Sequence, residues 1–284
     1  MRRKKHSDPS SLRGWKKGTA YLVLIFQAFI TIFPLYIMIV TSFKENKEIF
    51  QHPFALPQSF DGESYRKVLE LNDFAAYFRN SIIVTAAAVA LFLVVSLLAA
   101  YALGRFRFRG NGFLYIYFLL GMMVPIRLGV INMFDTFNKL GLNDTLLGLV
   151  LIYSAMSIGF SVFIMTGFMR GIPVEIEESA KIDGCSHFRI LWNILVPVLK
   201  PAIATALIYN FVPIWNDFYF PLIFIQSENL KTVPIGVTIF FGQYQTDWPT
   251  VFAALTLAAL PVLIVYFLMS KQFIKGLTAG AVKG

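Results

Sequence analysis

Long apolar runs alternate with short polar ones along the chain. Residues 20–40, 81–103, 146–169 and 251–269 contain no Asp, Glu, Lys or Arg. Each approaches or exceeds the roughly 20 residues that a helix needs to cross a hydrocarbon core about 30 Å thick. Two further runs are interrupted. Residues 113–134 carry Pro125 and Arg127, and residues 201–225 carry Asn210, Pro213, Asn216, Asp217 and Pro221. Together they predict an all-α membrane protein with six transmembrane helices, one transmembrane domain over 19–284 behind a polar tail over 1–18.

The segments between the runs refine this picture. Residues 42–79 form the longest external segment, broken by Pro53, Pro57 and Gly62 before an amphipathic stretch at 65–71, and predict a short helix or two on the outer surface. In the second run, Ala86, Ala90, Ser96, Ala99 and Ala100 place small side chains on common helix faces, where backbones can approach closely. The first run follows a basic stretch but is longer than the 7–15 residues of a signal peptide, and residues 39–44 show no small-x-small cleavage pattern. It predicts a retained helix.

Composition agrees. Hydrophobic residues make up 57% of the chain and charged residues only 14%, too apolar for an ordinary soluble domain. The net charge of +9 is not a nucleic-acid footprint, because the basic residues are distributed by loop. With the N-terminus inside, the tail, the loop at 105–109, the loop at 170–200 and the C-terminal end hold 17 of the 25 Lys and Arg residues. This bias predicts N-in, C-in topology, as an even number of crossings requires. The single cysteine, Cys185, permits neither an intrachain disulfide nor a cysteine-rich metal site.

Polar groups inside the fifth run are costly in lipid unless they face protein or water. Two alternatives stand for Asn216 and Asp217. With Asn210 and Trp215 they line a pathway or a subunit seam, or they cap local backbone at the outer end of the helix. Trp215, Phe218 and Tyr219 could stack on the flat face of a solute or serve as packing and interface anchors.

The polar segment 172–197 is longer than a helix-to-helix turn needs. Pro173 suits a first helical turn, Glu175, Glu177 and Glu178 favour the positive end of the dipole, and Gly184 supplies a left-handed stop. A helix over 173–183 follows, with Glu177 and Lys181 placed for an i, i+4 pair. Ile176, Ala180 and Gly184 share a face that could enter a partner's groove. Ser186 begins a second helix, 187–196, ended by Pro197. An ordinary interfacial helix pair is the alternative.

In this segment the sequence resembles the membrane subunits of binding-protein-dependent ABC importers. Their signature, E-A-A, three residues, G, then I-x-L-P, appears as Glu178, Ser179, Ala180, Lys181, Ile182, Asp183 and Gly184, followed by Ile194, Leu195, Val196 and Pro197. The longer sugar-permease form adds Ile172, Pro173, Glu175 and Glu177. Ser179 replaces an Ala and Val196 a Leu. The likeness continues in Ser42-Phe43-Lys44, Asn80-Ser81, Gly141-Leu142-Asn143 and Trp215-Asn216-Asp217-Phe218, and the end of the chain looks like that of the maltose-type permease with six crossings.

The resemblance implies a type I ABC importer permease fold. It makes Glu177 to Gly184 the coupling helix seated on an ATPase, and it takes the tail 271–284, with Lys275, Gly276, Gly280 and Lys283, to the ATPase interface. It also implies a second permease subunit, two ATP-binding subunits that use ATP and Mg, an extracytoplasmic solute-binding protein, and a prokaryotic inner membrane. The solute would be a sugar or oligosaccharide; polyol and glycerol-phosphate permeases share these motifs.

The chain has no G-x-x-x-x-G-K-[ST] loop to cradle a nucleotide. We expect no cofactor, metal or catalytic residue in this chain. An ion-coupled transporter would need intramembrane charges, and only Asp217 and Arg127 qualify. An intramembrane enzyme would need a nucleophile with a base, and His6, His52 and His187 all lie outside the runs.

Overall fold

The computed structural model describes residues 14–70, 73–241 and 246–281, and the side chains of all of these except 14–16 and 272–281. Among the described residues there is no strand. The described residues form two compact units, those up to residue 68 with those of 240–257, and those of 69–239 with those from 258 on.

In the first unit, α1 (Gly14–Thr41) leaves most of its large apolar side chains exposed, including Leu22, Phe26 and Ile32. Such a surface suits lipid or a partner helix and not water. After α1 the chain turns into α2 (Asn46–Gln51) and α3 (Glu63–Glu70). The expected short helices of the external segment are therefore present; Leu71, at the end of the amphipathic stretch, lies outside the described residues. The Ser42-Phe43-Lys44 motif holds this turn. Lys44 is buried and donates from Nζ to the carbonyls of His52 and Pro53, both at 2.9 Å. Ser42 hydrogen-bonds the Tyr65 hydroxyl at 2.7 Å, and Phe43 packs on Phe60 and Tyr65.

The second unit holds α4 (Phe74–Arg105), α5 (Asn111–Met123), α6 (Val130–Lys139), α7 (Leu146–Arg170) and α8 (Glu175–Ile182). It continues with α9 (His187–Ile190), α10 (Val196–Val198), α11 (Lys200–Trp215), α12 (Tyr219–Phe224), α13 (Val233–Thr238) and most of α14 (Trp248–Ala281). Helices α4 and α7 form its centre. Towards one end they enclose Leu97, Tyr101, Met165, Met169, Ile190, Leu195 and Leu199; towards the other, Phe92, Leu149, Tyr153, Phe220 and Phe224. Gly159 brings the backbones of α5 and α7 together, since a Cβ there would stand 2.9 Å from the Phe118 carbonyl and 2.7 Å from Met122 Cγ. Without a hydrophobic drive between helices in lipid, such close approach is what holds them.

Among the described residues four helices, over Lys17–Thr41, Phe74–Arg105, Leu146–Arg170 and Trp248–Lys271, are each long and apolar enough to cross a membrane. They match the four uninterrupted runs and extend most of them by one or two turns. The third run is a broken element: Asn111–Met123 and Ile126–Lys139 meet at 80°. Pro125 lacks an N–H and forces Val124 into extended backbone, φ −76° and ψ 120°. The fifth run begins at Lys200, bent 74° from the helical turns of His187–Val198, and α11 ends at Trp215 before a break at Asn216. With both bent pairs counted as spans the total is six.

Polar side chains fasten the loops at the far ends of α4 and α7. Asn80 Nδ2 donates to the carbonyls of Asn229 at 2.8 Å and Lys231 at 3.0 Å, and the Tyr77 hydroxyl donates to Glu228 at 2.7 Å. The Asn80-Ser81 motif thus serves the loop before α13, where Ser81 Oγ also accepts from the Val233 amide at 2.9 Å.

Candidate functional site

Two regions of the second unit carry groups of functional interest. The first is a groove of about 420 Å³ whose lining includes Arg127, Tyr153, Ser157, Tyr209, Asn210 and Asp217. Asn210 is ten residues into α11 and Ser157 eleven residues into α7. At about 1.5 Å per residue Ser157 lies roughly 16 Å from the start of α7, and Asn210 about 8 Å from the end of α11.

Its polar atoms are largely engaged with the chain itself. Asn210 Nδ2 donates to the Ala206 carbonyl at 2.8 Å and, more weakly, to Ser161 Oγ at 3.4 Å. Ser157 donates to the Tyr153 carbonyl at 2.7 Å. Asp217 Oδ2 accepts from the Tyr153 hydroxyl at 2.9 Å and from the Phe220 amide at 3.0 Å. Asp217 lines the groove and caps the backbone ahead of α12. Tyr209 stacks on Phe160 with ring centroids 3.8 Å apart and remains half exposed. The Arg127 guanidinium lies 5.0 Å from the Tyr219 ring centroid, a cation–π distance.

Trp215 and Asn216 do not join them. Trp215 is buried, with its indole N–H donating to the Ala258 carbonyl at 2.9 Å and its ring edge-on to Phe78. Asn216 turns back to the Val212 carbonyl at 3.0 Å and ends α11. Tyr153, Ser157 and Tyr209 were not singled out from the sequence. The signal for Tyr153 and Ser157 was the four-residue spacing of Tyr153, Ser157 and Ser161 on one face of α7, opposite the Asn210 side of α11.

The second region is α8 with the turns around it. The helix starts at Glu175, two residues after the expected start, and stops where Gly184 adopts φ +80°. Its faces differ from expectation. Ala180 is buried in the chain's own core, while Ile176 and Gly184 on the same face stay exposed. Glu177 is buried too, and its ion-pair partner is Arg105 and not Lys181. A buried carboxylate gains more from an equally buried guanidinium than from a lysine in water. The outward side carries Glu178, Ser179, Ile182 and Asp183, and Ile182 is 87% exposed.

Beyond the Gly184 turn, Ser186 caps α9 by accepting from the Arg189 amide at 3.3 Å. Pro197 does not stop the helical path. A π-helical turn over Leu191–Leu195 leads into α10, which contains Pro197. A wider turn relieves the clash of the proline ring with the preceding carbonyls and removes the need for its missing N–H. At the other end of the chain, α14 stays helical through Ala281, so Lys275, Gly276 and Gly280 stand on a helix and not on an extended tail. Lys283 lies outside the described residues.

The family model described as "Binding-protein-dependent transport system inner membrane component" matches residues 93–278. A chain of Caldicellulosiruptor sp. (strain Rt8B.4), named as an ABC transporter permease protein, is 42% identical over 252 residues, covering 88% of this chain and 91% of its own. The diacetylchitobiose uptake system permease protein DasC of Streptomyces coelicolor is 32% identical over 273 residues, 96% of this chain and 98% of its own. A crystal structure of a bacterial ABC transporter involved in the import of alginate contains a chain that superposes with a TM-score of 0.80. It covers 95% of this chain and 100% of its own at 24% identity, a likeness that carries the fold.

Proposed function

This chain belongs to the family of binding-protein-dependent transport system inner membrane components, and from that premise we propose that it forms half of the pathway by which a carbohydrate enters the cell. It is a permease subunit of an ABC importer, a transport component and not the ATPase. A sugar or oligosaccharide reaches it on an extracytoplasmic binding protein. A second permease completes the pathway, and two ATP-binding subunits use ATP and Mg on the cytoplasmic side. The membrane is the prokaryotic inner membrane, with both termini inside.

The observation that carries this proposal is α8. It lies outside every candidate span, its inner face is anchored, and its outer face leaves Ile182 beside Glu178 and Ser179 without cover. An exposed large apolar side chain on a rigid helix outside the lipid suits a protein partner. In this reading Glu178, Ser179, Ile182, Asp183 and Gly184 seat the helix on the ATPase, while Glu177 and Ala180 hold it to the permease. The segment containing Lys275, Gly276, Gly280 and Lys283 reaches the same partner. ATP-driven closure of the ATPase pair moves α8, and the permeases open the groove to alternate sides. The groove suits a sugar, since Tyr209 offers an aromatic face to C–H groups while Asp217 and Ser157 offer acceptors to hydroxyls.

The test is Glu178→Lys and Gly184→Pro, expressed with the partner subunits. Proline fixes φ near about −65°, which the +80° of Gly184 does not permit. Both variants insert normally, because the changes lie outside the spans, but lose the co-purifying ATPase and carbohydrate-stimulated hydrolysis. Wild-type transport by both refutes the docking role.

A further inference from the structure

The cytoplasmic ends of α4 and α7 exchange arginines. Arg105, the last residue of α4, donates from Nη2 to the Ile172 carbonyl just beyond α7, at 3.0 Å. Arg170, the last residue of α7, donates from Nη2 to the Leu103 carbonyl in the final turn of α4, at 3.3 Å. Each guanidinium thus serves a carbonyl at or near the C-terminal end of the other helix, where positive charge is favoured. Arg105 also forms an ion pair through Nε with Glu177, in the first turn of α8, and the two side chains are only 7% and 4% exposed. Arg170 lies over the Tyr115 ring of α5, 4.8 Å from its centroid. Tyr101, one turn before Arg105, hydrogen-bonds His187 Nδ1 at the start of α9, at 3.1 Å.

We propose that Arg105, Glu177 and Arg170 are positioning residues that lock the ends of α4 and α7 and the helix α8 into one body, so that a displacement of α8 is delivered to the membrane helices without slack. The proposal rests on the reading of α8 as the ATPase-docking helix. The geometry favours a rigid link over a hinge. Gly184 gives the far end of α8 a turn with an open left-handed backbone, but the near end is held at Ile172 and Glu177 by one buried side chain. A flexible joint would not spend a desolvated charge pair, which is strongly destabilising to break from one side and gains little over an apolar contact in stability alone. Its gain is a fixed register between α8 and α4. Ile182, Glu178 and Ser179 on the opposite face take no part, so docking and transmission are separate functions of one helix.

The test uses the full complex with its binding protein in lipid nanodiscs, and reads ATPase co-purification, ATP hydrolysis and transport separately. Arg105→Gln and Glu177→Gln, each leaving a buried charge without its partner, should retain the ATPase subunits and hydrolyse ATP. Transport per ATP should fall about tenfold or more. The exchange Arg105→Glu with Glu177→Arg restores the pair and should recover at least a third of the wild-type ratio. Arg170→Gln, which keeps the Arg105–Glu177 pair, should give an intermediate loss. A wild-type transport-to-ATP ratio in both single variants overturns the proposal, as does an exchange variant no better than the worse single variant. Loss of the ATPase on purification would instead show that these residues serve docking, and also overturns it. Failure of the docking reading itself would be seen separately, as full ATPase retention in Glu178→Lys.

Discussion

Replacing Asp144 should free the loop that follows α12. Asp144 has φ +56°, and its carboxylate accepts from the Gln226 and Ser227 amides, both at 2.9 Å, and from the Ser227 hydroxyl. Its own amide donates to the Phe224 carbonyl at 2.8 Å. Hydrogen bonds to a charged group contribute about 1.5–3 kcal/mol each when shielded. Asp144 is half-buried, so screening reduces the sum to about 2–4 kcal/mol. Alanine also adds roughly 1 kcal/mol of left-handed backbone strain, which Asp tolerates better. Asp144→Ala should therefore speed hydrogen exchange at the Gln226 and Ser227 amides by about 30-fold or more, and Asp144→Gly by somewhat less. The same donors, the Ser227 hydroxyl foremost, hold the Asp144 carboxyl below the usual carboxylate range. A depressed folded value means that the stabilisation is fully present above the unfolded pKa near about 3.9 and is lost only as pH falls through the lower folded value. Exchange in the wild type should consequently keep its protection across neutral and mildly acidic pH and lose it in strong acid. Unchanged exchange in Asp144→Ala at neutral pH would refute the latch.

Two further outcomes follow from close contacts. Gly159→Val places a branched side chain against the Phe118 carbonyl and Met122, and overpacking of this kind costs about 1–3 kcal/mol or more; the yield of monodisperse protein should drop, while Gly167→Ala, with open space around it, should leave it unchanged. Tyr209→Ala removes the half-exposed ring of the groove and should lower carbohydrate transport about threefold to tenfold, with Tyr209→Phe close to wild type. Equal transport by all three would place the groove outside the pathway.

The four clean spans were legible because a charge-free apolar run near twenty residues long has few other fates. The interrupted runs were legible as interruptions but not as shapes: Pro125 announced a break, whereas its 80° angle depends on how α6 packs. The α8 segment shows the limit most clearly. Its helix, its stop at Gly184 and its family likeness could all be read along the chain. Which face turned inward could not, because the partner of Glu177 lies on α4, 72 residues away at Arg105. Local spacing favoured Lys181, and burial favoured the remote arginine. Pro197 misled for a related reason, since a proline's effect depends on whether the preceding turn can widen. Asn210 and Asp217 stood out as polar groups in an apolar run, while Tyr153 and Ser157 did not, being ordinary in a packed helix until the groove beside them is known.

The polar groups along the groove spend their strongest bonds within the protein: Asn210 on the Ala206 carbonyl, Ser157 on that of Tyr153, Tyr153 on Asp217. On the proposed reading of the groove as the pathway, a passing solute is left with remaining lone pairs and a ring face. Residence is then short at any one point, which suits a conduit, because a site that grips its cargo also delays its release. Selection on such a surface is coarse, by size and wettability. Fine discrimination between one carbohydrate and another falls upstream, to whatever hands the solute over.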